Sequence, residues 1–275
     1  MTTQQLEQTR NAWDNIAAGY DEFVTPRWAL SEDALSRAGL RPGMRFLDVA
    51  AGSGALSIPA ARLGAQVLAT DISPAMVERL KARARAEGLS NLEARVMDGH
   101  ALDLEDDTFD ISGSQFGVML FPDLPRALSE MVRVTRPGGR VLMVVFAPPT
   151  NVEFLTFFMG AMRAVVPGFT GLPMDPPPLP FQVADPRVLR QRMAEAGLKD
   201  IRVEPGTEVL EFKSGTHMWG WVTNSNPIGA GWVADLTEEQ KTAVQQVLGG
   251  MLRERSGGRP AAVLNNAVNI GIGTK

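Results

Sequence analysis

The sequence predicts an α/β protein built on a doubly wound, mostly parallel sheet with a helical cap. Three observations carry this. Apolar strand-like runs alternate with helical stretches over residues 1–147, glycine-marked turns separate them, and Asp48, Asp71 and Asp98 stand at or near the ends of the first three strands. Strands that alternate with helices pair in parallel and are covered on both faces.

The elements follow in order. A polar N-terminal helix carries Trp13, Ile16 and Tyr20. A second helix, Leu30 to Ala38, stops at Gly39 before a Pro42-Gly43 turn. Arg45 to Val49 reads as the first strand, Ala50-Ala51-Gly52-Ser53-Gly54 as a small-residue loop, and Ala55 to Leu63 as the helix it feeds. Val67 to Thr70 is the second strand, closed by Asp71. Ser73 caps and Pro74 opens the helix that runs to Glu87. Leu92 to Met97, Phe109 to Ser114 and Val141 to Phe146 supply three more strands, with a helix from Leu124 to Val134 and the turn Pro137-Gly138-Gly139 between the last two. Beyond Ala147 the pattern changes to an aromatic helix (Phe154, Phe157, Phe158, Met162) and a proline-rich stretch from Pro173 to Pro180. Helices follow over Pro186 to Ala196, His217 to Thr223 and Thr237 to Arg255, with strands at Ile201 to Glu204, Glu208 to Phe212 and Asn266 to Ile272. Residues 148–275 are thus expected to add strands to the sheet edge and helices above the strand ends, forming one structural domain with residues 1–147.

Composition narrows the function. A net charge of −4 gives no basic field for nucleic acid or an anionic membrane. No cysteine is present, which removes disulfides, thiolate metal sites and cysteine nucleophiles together. The start, Met1 to Asn11, lacks the apolar core of a signal peptide, and no run reaches the roughly 20 apolar residues of a membrane span, so a cytoplasmic location is expected. Two His and one Tyr leave little for a His-rich metal site or a Tyr-x-x-x-Lys pair. No metal is expected.

In a doubly wound sheet the ligand binds outside the carboxyl ends of the strands. The Gly52-Ser53-Gly54 loop lets a ligand approach backbone closely, and a carboxylate ending the next strand is placed to accept both hydroxyls of a ribose. Asp71 follows Gly54 by 17 residues, near the spacing such an acid shows. The loop alone is a weak signal, because Ser57 stands where the dinucleotide fingerprint has Gly or Ala.

The run Phe46-Leu47-Asp48-Val49-Ala50-Ala51-Gly52-Ser53-Gly54 resembles the first motif of class I S-adenosylmethionine-dependent methyltransferases. Thr70-Asp71-Ile72-Ser73 resembles the ribose-binding segment and Met97-Asp98-Gly99-His100-Ala101-Leu102 the adenine-side loop. Asp106 to Asp110 resembles the entry to the fourth strand, and Arg136 to Arg140 closes the set. Order and spacing over residues 10–147 look like the branch with the ubiquinone and menaquinone biosynthetic enzymes. The resemblance implies a Rossmann-like methyltransferase fold and S-adenosyl-L-methionine as cofactor, leaving S-adenosyl-L-homocysteine. It places Asp48 and Gly52 at the methionine and sulfonium portion, Asp71 at the ribose, Asp98 and the Gly99 backbone at the adenine, and Tyr20 in an N-terminal lid. Ala50, Gly54, Ile72 and Gln115 complete the implied cofactor contacts.

Three departures bear on what carries over. Ala50 replaces the first glycine of the usual loop. Met119-Leu120-Phe121 replaces a polar, His-containing stretch, which implies an apolar pocket lined by Met119, Phe121 and Trp219. Residues 147–206 and 213–260 match no motif, and acceptor identity lives there. A sulfonium methyl is already electrophilic, so positioning does most of the work. Where a base is needed, His217 is the candidate by residue type. The expected partner is a small, partly apolar acceptor methylated on O, N or C, with a homodimer open. Competing readings are an NAD(P)-dependent oxidoreductase, which shares the strand-loop-helix and trailing acid, and a non-catalytic S-adenosylmethionine-binding protein.

Overall fold

The computed structural model describes residues 3–23, 28–225 and 227–275. Its elements run α1 (Thr3–Phe23), α2 (Ala29–Ala38), β1 (Arg45–Val49), α3 (Ser57–Arg62), β2 (Gln66–Asp71), α4 (Pro74–Ala86), β3 (Leu92–Val96), β4 (Phe109–Gln115), α5 (Leu124–Val134) and β5 (Thr135–Phe146). The second half adds α6 (Glu153–Val165), α7 (Pro186–Glu195), β6 (Lys199–Phe212), α8 (Gly215–Asn224), α9 (Pro227–Gly231), α10 (Glu238–Ser256) and β7 (Ala262–Thr274).

Among the described residues seven strands form one sheet in the order β3-β2-β1-β4-β5-β7-β6. The first five are parallel neighbours, and β7 runs antiparallel to both β5 and β6. Parallel strands covered on both faces read as continuous apolar runs. Val141 to Val145 of β5 shows this, every residue being buried. Strand order reverses between β1 and β4, and the open crevice of such a sheet lies at that switch point.

Three elements differ from the sequence reading. The two short strands expected at Ile201 and Glu208 are one, β6, because it is an edge strand. Pro205, which lacks an N–H, interrupts pairing in an interior strand but not at an edge whose outer side is unpaired. β5 begins six residues early: Thr135 pairs with Phe109 before a register shift, and Gly138 and Gly139 bond the backbone of Lys275. The short helix α9 was not anticipated, since its five residues include two glycines. Among the described residues no helix is long and apolar enough to cross a membrane.

Candidate active site

Asp71 closes β2, and its carboxylate organises the neighbouring loops. It accepts the Gly52 N–H at 2.8 Å and the Ser73 N–H at 2.9 Å. Gly52 has φ of 53°, a left-handed conformation suited to glycine, and this turns its N–H toward the acid. Ser73 in turn caps α4 by accepting from the Met76 N–H at 3.1 Å, and Pro74 fills the first helical position. Asp14 of α1 accepts the Ser73 hydroxyl and, at 3.2 Å, the Ala75 N–H. These bonds moor α1 across the strand ends. The Tyr20 hydroxyl consequently comes within 4.0 Å of where a Cβ on Gly52 would stand. Burial pushes the Asp71 pKa up, its backbone bonds oppose the shift, and Asp14 adds to it.

A cavity of about 460 Å³ opens above these loops, within the roughly 300–1,000 Å³ usual for small-molecule sites. Its polar end is built from the carboxyl ends of β1, β2 and β3 and the loops after them. Of the residues singled out from sequence, Tyr20, Ala50, Gly52, Asp71, Ile72, Asp98, Gly99, Gln115, Met119 and Phe121 line it. Gln115 accepts a hydrogen bond from Ser31 of α2 at 3.1 Å. His100 is buried in this wall. It donates its Nδ1–H and its backbone N–H to Asp98 Oδ1 at 2.8 and 2.9 Å. In the neutral ring that bond leaves Nε2 as an acceptor; the atom is buried and without a partner among the described residues.

Four residues stand elsewhere than expected. Asp48 is 1% exposed beneath the loop and is not in the lining. It accepts the Ser57 hydroxyl at 2.5 Å, tying β1 to the start of α3, and burial pushes its pKa up to about 7. Gly54, with φ of 104°, is a packing glycine, since a Cβ there would overlap Leu80 and Ile58. His217 lies outside the cavity: its Nδ1 accepts from the Lys213 N–H at 3.3 Å and its ring packs edge-on to Phe212. Partial burial and Lys213 lower its pKa. Trp219 packs on Phe158 at 5.9 Å, also off the lining. A half-turn of helix explains the last case, because Trp219 and Trp221 cannot both face the cavity from one helix.

The far end of the cavity is aromatic. Phe116, Phe146, Phe154, Phe181, Trp221 and Trp232 wall it. Phe116 stacks on Phe146 at 4.6 Å while holding φ of 58°, costly for a bulky side chain. Trp221 meets Phe154 edge-on at 4.6 Å. Glu208 of β6 is also in this wall, a residue with no sequence signal to separate it from Glu204 or Glu211 on the same strand.

Residues 47–143 match a family model described as a methyltransferase domain. An uncharacterized protein of Mycobacterium tuberculosis is 45% identical over 121 residues, 44% of this chain and 43% of that protein. A demethylmenaquinone methyltransferase of Renibacterium salmoninarum is 30% identical over 208 residues, covering 68% of this chain and 85% of the relative. The chain spans about half the length of the mycobacterial relatives it matches. Among solved structures, the YcgJ protein of Bacillus subtilis shares the fold, with a TM-score of 0.56 over 89% of this chain and 97% of that one at 17% identity.

Proposed function

The chain belongs to the class I S-adenosylmethionine-dependent methyltransferases, of the type found in quinone biosynthesis, and from this we propose that it methylates a small, largely apolar acceptor in the cavity above its strand ends. The observation that carries the reading is Asp71. A carboxylate offers about four lone-pair positions; Asp71 meets the Gly52 N–H on one oxygen and the Ser73 N–H on the other, with the Ile72 N–H beside them, and keeps capacity to accept from a ribose. The orphaned Nε2 of His100 fits the same ligand: a buried acceptor needs a donor, and the exocyclic amine of adenine is one. The Gly52 backbone supplies close approach and Ile72, also in the lining, an apolar face.

The cofactor, when bound, supplies an electrophilic methyl group. The work left to the chain is positional. Asp71, Asp98 and His100 orient the nucleoside, Tyr20 on the moored α1 covers it, and the aromatic wall excludes water and aligns the acceptor. Asp48 acts from beneath, by shaping the loop through Ser57. Calorimetric titration with S-adenosylmethionine, S-adenosylhomocysteine, NADH and NADPH tests the reading. Micromolar binding of the first two alone is expected, and binding of a nicotinamide instead would overturn it.

A further inference from the structure

The aromatic end of the cavity carries two polar atoms with nothing to bind. Glu208 Oε2 and Trp221 Nε1 are each out of reach of solvent and without a partner among the described residues. Buried polar atoms are almost always paired, so two orphans in one cavity wall call for a ligand. The fold sets them on two elements, β6 and α8, of the same cavity wall. Gly206 pairs with Val268, which pairs with Phe146 at the end of β5, so Glu208 lies two residues beyond that line on the same face of the sheet. Leu210 and Phe212 continue that face, and Phe212 meets the Trp221 ring edge-on at 5.8 Å. Asn266 fixes both sides, accepting from the Phe154 N–H at 2.9 Å and donating to the Glu208 carbonyl at 3.3 Å. Burial alone pushes the Glu208 carboxyl up to about 7, with no charged neighbour contributing.

The chemistry of the pair selects its ligand. Glu208 supplies an acceptor and Trp221 a donor, and a hydroxyl is the small group that donates to one and accepts from the other. An ammonium would leave the indole N–H unanswered. Position decides what that hydroxyl does. From β4, where Gln115 ends the polar half, to β6 is three strand steps of about 4.8 Å, roughly 14 Å between backbones. A group bound by Glu208 thus lies at the end of the cavity away from Asp71 and Asp98.

Resting on the methyltransferase reading, we propose that the acceptor is an elongated aromatic alcohol or phenol, recognised through a hydroxyl held between Glu208 and Trp221 while its opposite end is presented for methylation. Glu208 and Trp221 are then specificity residues, and the flanking Phe146, Phe154 and Trp232 grip the rings.

The test uses binding, so it does not depend on turnover. The whole protein, with and without saturating S-adenosylhomocysteine, is titrated with one- to three-ring phenols and their matched methyl ethers, read by tryptophan fluorescence and calorimetry. At least one phenol should bind about tenfold more tightly than its ether. Glu208→Met should erase most of that preference, Trp221→Phe should weaken phenol and ether alike, and both should leave S-adenosylhomocysteine affinity unchanged. The Glu208 change removes a buried acid and the Trp221 change keeps a ring, so neither should unfold the chain, which far-ultraviolet circular dichroism checks. No preference for any phenol over its ether, a preference untouched by Glu208→Met, or phenol binding untouched by Trp221→Phe overturns the proposal. Loss of S-adenosylhomocysteine binding with the phenol preference intact overturns the cofactor reading instead.

Discussion

Replacing Asp71 by Ala should separate cofactor binding from folding. The carboxylate holds two backbone N–H groups at 2.8 and 2.9 Å. Truncation strands both donors, at about 1–3 kcal/mol each where water cannot substitute. Burial and the nearby Asp14 work the other way: both raise the Asp71 pKa, so the fold already holds this charge against a desolvation cost that truncation relieves. The contributions oppose, and the net change in unfolding free energy should stay within about 2 kcal/mol. Cofactor binding has no such offset. Losing charged hydrogen bonds to the ribose costs about 1.5–3 kcal/mol, a ten- to hundredfold rise in Kd. Calorimetry with S-adenosylhomocysteine gives the affinity and urea melts give the stability, on the same preparations. A Kd within about threefold of the parent, in a protein that is still folded, would remove Asp71 from the site.

Three further outcomes are expected. His100→Leu should weaken S-adenosylhomocysteine binding by about tenfold while leaving the 6-oxo inosine analogue, which lacks the exocyclic amine, nearly unaffected. An equal loss for both ligands would dissociate His100 from the adenine. Asp48 has its folded pKa raised from an ordinary 3.8 to about 7. The native state therefore holds its proton more tightly than the unfolded chain, and this stability is full below the lower value and declines as pH rises through the upper one. The ceiling is about 1.4 kcal/mol per pH unit, and Asp48→Asn should flatten the urea-melt stability curve between those limits. Ala50 holds φ of 56°, where a side chain costs about 1–2 kcal/mol. Ala50→Gly should raise the midpoint of thermal unfolding, the relieved strain outweighing roughly 0.4–1 kcal/mol of added chain entropy, and a lowered midpoint would refute the strain.

Much of the cofactor half was legible because its signals are local. A strand, a glycine turn and a strand-end acid lie within one short stretch of chain, and the Asp71 bond to Gly52 spans only the residues between them. Asp48 illustrates the limit of that reading. Its place in a motif pointed to the ligand, but whether a strand-end carboxylate faces the crevice or the helix behind it depends on which neighbour donates, and Ser57 does so from below. His217 was chosen by residue type, and type carries no orientation. Glu208 was invisible for the opposite reason. Its strand carries glutamates at 204, 208 and 211, and only the pairing of β6 through β7 shows that 208 and 211 run past the end of β5, of which 208 alone lines the cavity.

That contrast follows from how the sheet is put together. The parallel strands from β3 to β4 place their ends, and the loops after them, at the polar end of the cavity. The antiparallel pair β7 and β6 runs past the end of β5, with the bridge between Val152 and Asn266 extending it further. The same overrun raises the aromatic wall from β6, α6 and α8 at the opposite end. Because the two ends are separated by strand steps rather than interleaved, side chains on β6 and α8 can change without disturbing Asp71, Asp98 or His100. A constant nucleoside site beside a freely variable acceptor wall is what such a division permits. It also explains why a segment that matches no motif holds Trp221.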